Sequence, residues 1–407
     1  MRAGVGSDLE VALLTGGWDP PYAFGLSHAL FAQGVRLDVI CGDDLNVGRL
    51  DREHRVAILR FLKDGQPASG PIEKLSRLVA YYARLVGYAW SARPKIFHIL
   101  WNNRFQTIDR VFLMLYYRLL GKRIVLTAHN VNAGTRDATD SFFNRLTLRV
   151  QYLLSDHIFV HTEKMKSELV SNFGVREMDV TVVHFGINNA VPQTALSTAE
   201  ARRRLGIAPS DKAILFFGNI APYKGLEFLI EAFRRISHSG SGYRLIIAGP
   251  LKKGCEAYWK TIESMMGEEP KHDGILLKLG YIPDEETELY FKAADVLVLP
   301  YVNIFQSGVL FLGYSFGLPV LAADVGSLKD EIVPGKTGSV FAPRSGADLA
   351  DALHLYFSSD LFQDLDAQRR LIKEYAGAKY SWDAVADVTR QVYANLLGRS
   401  LFVMEEV

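Results

Sequence analysis

Read for its apolar and polar positions, the chain alternates short unbroken Val/Ile/Leu runs with longer stretches whose apolar residues recur every three or four positions. In the first half the short runs fall at Val11–Gly16, Leu37–Cys41, Ile96–Leu100, Ile124–Ala128, His157–His161 and Val180–Phe185. The helically spaced stretches lie between them, near 22–33, 72–91, 107–120, 141–154 and 163–173. A strand with one wet face alternates apolar and polar residues, so unbroken runs predict strands covered on both faces of a parallel sheet. Strand and helix in regular alternation predict a doubly wound α/β domain. A polar, loosely patterned stretch from Asn188 to Lys212, with helical character near 198–205, reads as a linker. The pattern then restarts, with strands at Ala213–Phe217, Arg244–Ala248, Leu276–Leu279, Val296–Pro300 and Val320–Ala323. Two Rossmann-like domains are therefore expected, over 1–190 and 191–380, facing across a cleft. In such open sheets ligands bind beyond the carboxyl ends of the strands.

Composition narrows the class without changing that picture. The 407 residues suit two or three domains, and 49% apolar with 22% charged residues is a globular composition. Two cysteines, Cys41 and Cys255, argue for buried small hydrophobes in a reducing compartment, not a disulfide framework. No signal peptide and no run of about 18 apolar residues is read, so a cytoplasmic location is expected.

Charge is unevenly placed. A total of +1 excludes a generic polyanion binder, yet residues 72–150 carry thirteen Lys or Arg against four Asp or Glu, leaving the remainder at −8. The aromatic and apolar runs "LVAYYARLVGYAW" and "VFLMLYYRLLGKR" lie within this basic stretch. Two readings stand: core-packing helices with solvated arginines, or a surface that sits on anionic lipid. Nucleic acid is disfavoured, because no nucleic-acid module is present.

The candidate chemistry centres on "GNIAPYKGLEFLIEAF", Gly218 to Phe233, where a strand hands over to a helix. Free backbone N–H groups and the positive end of a helix attract phosphate, and Lys224 adds a full charge. Gly218 permits a sharp turn and close approach of a ligand. A structural turn with a surface lysine is the competing reading.

Over nearly its whole length the chain resembles the GT-B glycosyltransferases, in particular the family 4 (group 1) enzymes that use nucleotide-diphosphate sugars. The stretch from Gly218 is similar to that family's strand–loop–helix, and the resemblance places Lys224 on the diphosphate-binding lysine. Asn219 stands where the family usually has arginine. "RLIIAGP", ending its strand at Gly249, resembles the next strand. "LGYIPDEETELYFKAADVLVLPY" resembles the segment whose backbone, here Tyr281 and Ile282, holds the nucleobase. "SGVLFLGYSFGLPVLAADVG" resembles the donor-sugar and ribose segment. "PGKTGSVFAP" and "YSWDAVADVTRQVYANLL" resemble C-terminal pieces, the last a helix, within 381–407, that returns to the N-terminal domain. The family's paired glutamates fall on Ile304 and Leu312, neither of which accepts a hydrogen bond from a sugar hydroxyl. Gln306, Ser307 and the backbone at Gly308 and Val309 are the nearest polar substitutes.

On the acceptor side, the resemblance places Gly16, Gly17 and Trp18 in the family's acceptor loop. Asp19 either orients or deprotonates an acceptor hydroxyl or caps the following helix. His129, ending a strand in "TAHN", matches a family histidine that contacts the donor sugar or its phosphate; a structural histidine is the competitor. His28, His98, His161 and His184 read as core or strand-end residues, and Asn102 and Asn103 as acceptor contacts. Neither metal nor cofactor is expected. The expected activity is transfer of a hexose-type sugar to a lipid-linked or polysaccharide acceptor in cell-surface polysaccharide synthesis, peripheral to the membrane. A sugar-nucleotide epimerase and a noncatalytic sugar-nucleotide-binding protein share the architecture.

Overall fold

The computed structural model describes residues 9–16, 19–42, 56–62, 70–103, 105–136, 140–187, 191–238, 242–267 and 274–398. They form two compact units. One runs up to Gly186 and takes in the chain again from Tyr380, and the other is Ile187–Lys379.

The first unit holds seven parallel strands: β1 (Glu10–Leu14), β2 (Arg36–Gly42), β3 (Val56–Leu62), β4 (Ile96–Ile99), β5 (Arg123–Thr127), β6 (His157–Val160) and β7 (Val180–Val182). Their order is β3-β2-β1-β4-β5-β6-β7. The central runs are buried on both faces, as unbroken apolar strands require; Val11, Ala12, Leu13, Ile96 and Phe97 have no exposed surface. The order reverses between β1 and β4, which makes the ends of those two strands the topological switch point.

The helix Trp382–Leu396 closes this sheet from the far end of the chain. Its Trp382 ring occupies space that a Cβ on Gly25 or Gly186 would enter, at 2.1 and 2.3 Å. It also meets Tyr22 edge-on, with ring centroids 5.0 Å apart. Tyr393 on the same helix reaches His98 Nδ1 at 2.5 Å, while Thr127 holds His98 Nε2 at 2.7 Å. His98 is therefore a core histidine, as its strand position suggested, and burial pushes its pKa down to about 3.

The second unit holds six parallel strands: β8 (Lys212–Phe217), β9 (Tyr243–Gly249), β10 (Ile275–Leu279), β11 (Val296–Leu299), β12 (Val320–Ala323) and β13 (Gly338–Phe341). Their order is β10-β9-β8-β11-β12-β13, with the switch point between β8 and β11. One core packs the helix Leu226–His238 and the helix Gly346–Phe357 on the sheet through Leu229, Ile230, Phe233 and Leu353.

Three expectations are corrected. Of the four edge strands β7 and β10 were expected, while β3 and β13 were missed: β3 carries Arg60 among partly exposed neighbours, and β13 opens on Gly338 and is covered only at its ends. The expected helix 107–120 opens as a π-helix at Ile108–Leu113 before continuing as α-helix to Leu119. The stretch read as a linker is largely part of the second unit. Within it the helix Thr198–Leu205 plants Arg202 on buried Asp295 at 2.5 Å, and Thr194 binds Glu288 through both its N–H and its hydroxyl.

Candidate functional site

In the second unit the switch point carries the opening motif. β8 is followed by Gly218, whose φ of +105° lies where side chains are disfavoured. The loop tightens through Pro222–Lys224 and ends on Gly225 at φ +64°, just before the helix Leu226–His238. A Cβ on Gly225 would lie 2.0 Å from the Pro300 carbonyl oxygen, so only glycine lets this loop close on the end of β11. The sequence thus buries Lys224, which is 6% exposed. Its Nζ donates to the Tyr301 hydroxyl at 2.6 Å and sits 3.9 Å from that ring's centroid. Tyr301 in turn meets Ser307 Oγ at 3.1 Å. Burial holds the Tyr301 phenol protonated, its pKa raised, so the hydroxyl that Lys224 meets is neutral. A buried cation at the turn between a strand and a helix suits an anion.

Ser307 is the N-cap residue of the helix Gly308–Ser315, and its side chain makes no capping bond. Gln306 precedes it. The Gln306 Nε2 points to Glu331 Oε1 at 3.4 Å, and its Oε1 is buried with no partner. The carboxylate fixes which end of the amide is the donor, which leaves an acceptor oxygen unspent at the head of this helix. Ile304 and Leu312 are buried at 8% and 6% exposure, packed as core residues. Val309 approaches the Cβ position of Gly218 at 3.4 Å, and Asn219 is exposed between Gly218 and Ile220. Gly249 serves packing: a Cβ there would lie 2.1 Å from the Gly218 oxygen. Tyr281 is 76% exposed and Ile282 buried at 7%. Gly308 is exposed at the first turn of its helix.

In the first unit the switch point brings together the ends of β1 and β4. Gly16, at φ +63°, packs where a Cβ would meet the Trp101 carbonyl oxygen at 2.5 Å. Gly17 and Trp18 lie outside the described residues. Asp19 adopts left-handed φ/ψ of 46° and 67° and accepts a hydrogen bond from the Tyr22 N–H, the capping role among its two readings. Burial pushes its carboxyl up to about 6.

His129 stacks flat on Trp101, with centroids 3.8 Å apart and planes 2° apart. Its protonation follows from its neighbours. The Val183 carbonyl accepts a hydrogen bond from His161 Nδ1–H at 3.2 Å, so neutral His161 offers a bare Nε2. That nitrogen lies 3.0 Å from His129 Nδ1, which must then be the donor. His129 Nε2 is left unprotonated, buried and without a partner. Burial first, then His161 and His98, push the His129 pKa well below the usual range. The ring is a neutral hydrogen-bond acceptor, suited to a hydroxyl and unsuited to a phosphate oxygen. His161, expected as a mere strand-end residue, is what orients it. His28 stacks on Phe24 and His184 meets Tyr380 edge-on.

Asn102 and Asn103 are spent internally. Asn102 exchanges two hydrogen bonds with Gln151. Asn103 donates to Asp109 Oδ1 at 3.0 Å and accepts from Tyr81. Asp109, on the π-helical turn, also accepts from Tyr82 at 3.1 Å. Burial pushes its carboxyl up to about 6, and its Oδ2 has no partner. The sequence shows only a lone Asp-Arg pair here, which is why this buried network escaped notice. Among the described residues no cluster of three or more His, Cys, Asp or Glu side chains is placed to hold a metal.

Comparison with known proteins follows the division into units. Residues 197–377 match the profile of the group 1 glycosyl transferases, and residues 21–191 that of glycosyltransferase family 4. A D-inositol 3-phosphate glycosyltransferase of Streptomyces bingchenggensis is 30% identical over 254 residues, 60% of this chain; the match spans about half of that relative, 53% of its length. Sucrose-phosphate synthase from Thermosynechococcus elongatus superimposes with a TM-score of 0.75 at 20% identity, covering 96% of this chain and 100% of the other. Anabaena HepE, solved with UDP-glucose, gives 0.71 at 16% identity, covering 96% and 99%. Two Rossmann-like α/β domains with these neighbours are the GT-B fold.

Proposed function

Because the chain belongs to the group 1, family 4 glycosyltransferases, we propose that it moves a hexose-type sugar from a nucleotide-diphosphate sugar to a lipid-linked or saccharide acceptor in cell-surface polysaccharide synthesis. The observation that carries this reading is Lys224, a buried cation held by Tyr301, whose hydroxyl in turn meets Ser307, where β8 and β11 end. As the bond between the sugar's anomeric carbon and the diphosphate breaks, negative charge grows on the leaving group. A fixed, desolvated ammonium stabilises the departing diphosphate more than the sugar-linked diphosphate, which carries one negative charge less, and that difference is the condition for catalysis. The acceptor oxygen bonds to the anomeric carbon and gives up its proton. The nucleotide donor is supported by a relative's fold, HepE, having been solved with UDP-glucose.

In this reading Gln306 Oε1 replaces a lost glutamate as an acceptor for the donor, and in the first unit His129 Nε2 accepts a hydrogen bond from a substrate hydroxyl. No step requires a metal or cofactor. A cytoplasmic enzyme peripheral to the membrane suits a lipid-linked acceptor, and no helix of the described residues is long and apolar enough to span a membrane.

The buried Ile304 and Leu312 favour a second reading, a sugar-nucleotide-binding protein without transferase activity. A thermal-shift screen of UDP, ADP and GDP with their hexose derivatives, followed by product analysis, separates the two. Stabilisation by a nucleotide sugar with release of free nucleoside diphosphate supports transfer. Stabilisation with an intact donor under every acceptor tried supports binding alone, and no shift with any nucleotide overturns both.

A further inference from the structure

Three neighbouring helices of the first unit each present an apolar stripe outward in addition to the one they bury. On the helix Pro71–Ser91, Tyr81, Leu85 and Ala89 face the core. On its other side Ile72, Leu75, Val79, Val86 and Trp90 are exposed, Ile72 at 83% and Trp90 at 75%. On the segment from Phe105 through Leu119, the exposed set is Phe105, Ile108, Phe112, Leu115 and Leu119, spaced by three and four, while Leu113, Met114 and Tyr117 are buried. On the helix Phe142–Leu154 the exposed set is Phe142, Phe143, Leu146 and Leu153, while Leu148 and Tyr152 are buried. Such spacing puts each set on one helix face.

The three helices are adjacent. Tyr82 bonds Asp109 at 3.1 Å and Tyr116 bonds the Val86 carbonyl at 3.2 Å, joining the first to the second. Arg110 bonds Asn144 at 2.8 Å and Thr147 at 3.2 Å, joining the second to the third. The crossovers from β3 to β4, β4 to β5 and β5 to β6 all run the same way along the sheet. Right-handed connections then put all three helices on one side of it. Fourteen large apolar side chains in one exposed region exceed the scattered exposure of an ordinary surface.

We propose that this three-helix face inserts into the interfacial layer of an anionic lipid bilayer. The charge around it selects that occupant. Arg84, Arg118, Arg123, Arg145 and Arg149 are exposed on or beside these helices, and among the described residues the nearby acids are paired or buried: Glu73 with Arg77, Asp140 with Arg145, and Asp109 buried, which leaves Arg84 and Arg149 without an acidic partner among them. Two copies of one basic face repel each other, while an anionic headgroup layer attracts it. The side chains themselves make the contact chiefly apolar. Lys122 is tied to the Ala92 and Pro94 carbonyls, and Asp156 pairs with Arg118 and Arg123, so several of the basic groups have little left to offer a lipid. The expected basic-patch docking therefore becomes insertion with electrostatic support. This rests on the reading of a lipid-linked acceptor for its purpose, and the experiment keeps the two apart.

The test is co-sedimentation of the full chain with vesicles of phosphatidylcholine alone and with phosphatidylglycerol added, at low salt and at about 1 M NaCl, where the Debye length is ~3 Å. The wild type is expected to bind the anionic vesicles and to keep most of that binding at high salt. The exposed-site triple variant Phe112→Ser, Leu119→Ser, Phe142→Ser is expected to lose at least about tenfold in binding. The pair Arg84→Gln, Arg149→Gln should lose less than that triple variant. All should keep the wild-type melting curve and its response to nucleotides. The proposal is overturned if the wild type binds neither vesicle, if high salt abolishes binding, or if the triple variant binds unchanged. A wild-type dimer that the triple variant converts to monomer, without vesicle binding, assigns the face to a second copy instead. Absence of a nucleotide response with vesicle binding intact defeats the transferase reading and leaves this one standing.

Discussion

Lys224 and His129 show how far single residues can be read from sequence. A glycine and a lysine between a strand and a helix pointed either to an anion site or to a turn with a surface lysine, and the lysine is buried against Tyr301 and not at the surface. Replacing Lys224 by Ala is expected to weaken nucleoside-diphosphate binding by about 1.5–3 kcal/mol, roughly 10- to 150-fold, and to abolish transfer; unchanged affinity in calorimetry would remove Lys224 from the site. His161 was not legible, because its role depends on contacts with residues 32 and 22 positions away. Burial pushes its pKa down to about 4. The unfolded chain therefore takes up this proton near pH 6.5 and the folded protein only near pH 4. A histidine with a depressed pKa contributes stability above pH 6.5 that drains away as pH falls through this window. His161→Gln retains a donor for Val183 and an acceptor for His129 but cannot titrate. Denaturant unfolding of the variant should lose about 1.4 kcal/mol per pH unit less than wild type between pH 6.5 and 4. Equal slopes would mean that His161 is not buried neutral.

Elements were most legible where burial was two-sided, and of the less covered edge strands two, β7 and β10, were expected and two, β3 and β13, were not. Most central strands were expected within a residue or two, since both faces of each are covered. Edge strand β3, "VAILRFL", carries Arg60 and partly exposed neighbours, so it lacks that signature. The π-helical turn at 108–113 leaves no periodicity of its own in so short a span, and with it the Asp109 network went unseen. Glycines at the turns were readable as turns, but not what they approach. Gly225→Ala adds a Cβ at 2.0 Å from the Pro300 oxygen in a left-handed conformation. That loop must shift, at a cost of roughly 1–3 kcal/mol. The variant should melt earlier and lose its nucleotide-induced stabilisation together. If stability falls while nucleotide affinity stays, the loop does not shape the site.

For the molecule as a whole, the alternation of elements foretold two parallel α/β units, and the resemblance foretold a last helix returning to the first. The unit boundary at Ile187 was obscured because the polar stretch after it is packed through Arg202 and Thr194, which look like solvated linker residues. Catalysis that relies on Lys224 and backbone amides needs no divalent ion, so transfer assayed with a nucleotide sugar should persist in excess chelator. Complete loss restored by Mg²⁺ or Mn²⁺ would contradict the proposed chemistry.

The seating of Trp382 between Gly25 and Gly186 bears on how the protein is made. On the ribosome the first unit emerges early, yet the ring that fills its interior lies 196 residues beyond Gly186. The second unit, continuous in sequence, has every strand it needs before that ring appears. Vectorial synthesis therefore inverts the order of the chain: the second-made unit completes itself first, while the first-made one waits with an open slot beside Tyr22. A nascent chain arrested before Tyr380 should show a protease-resistant second unit and a digestible first one, with resistance of the first arriving only on release.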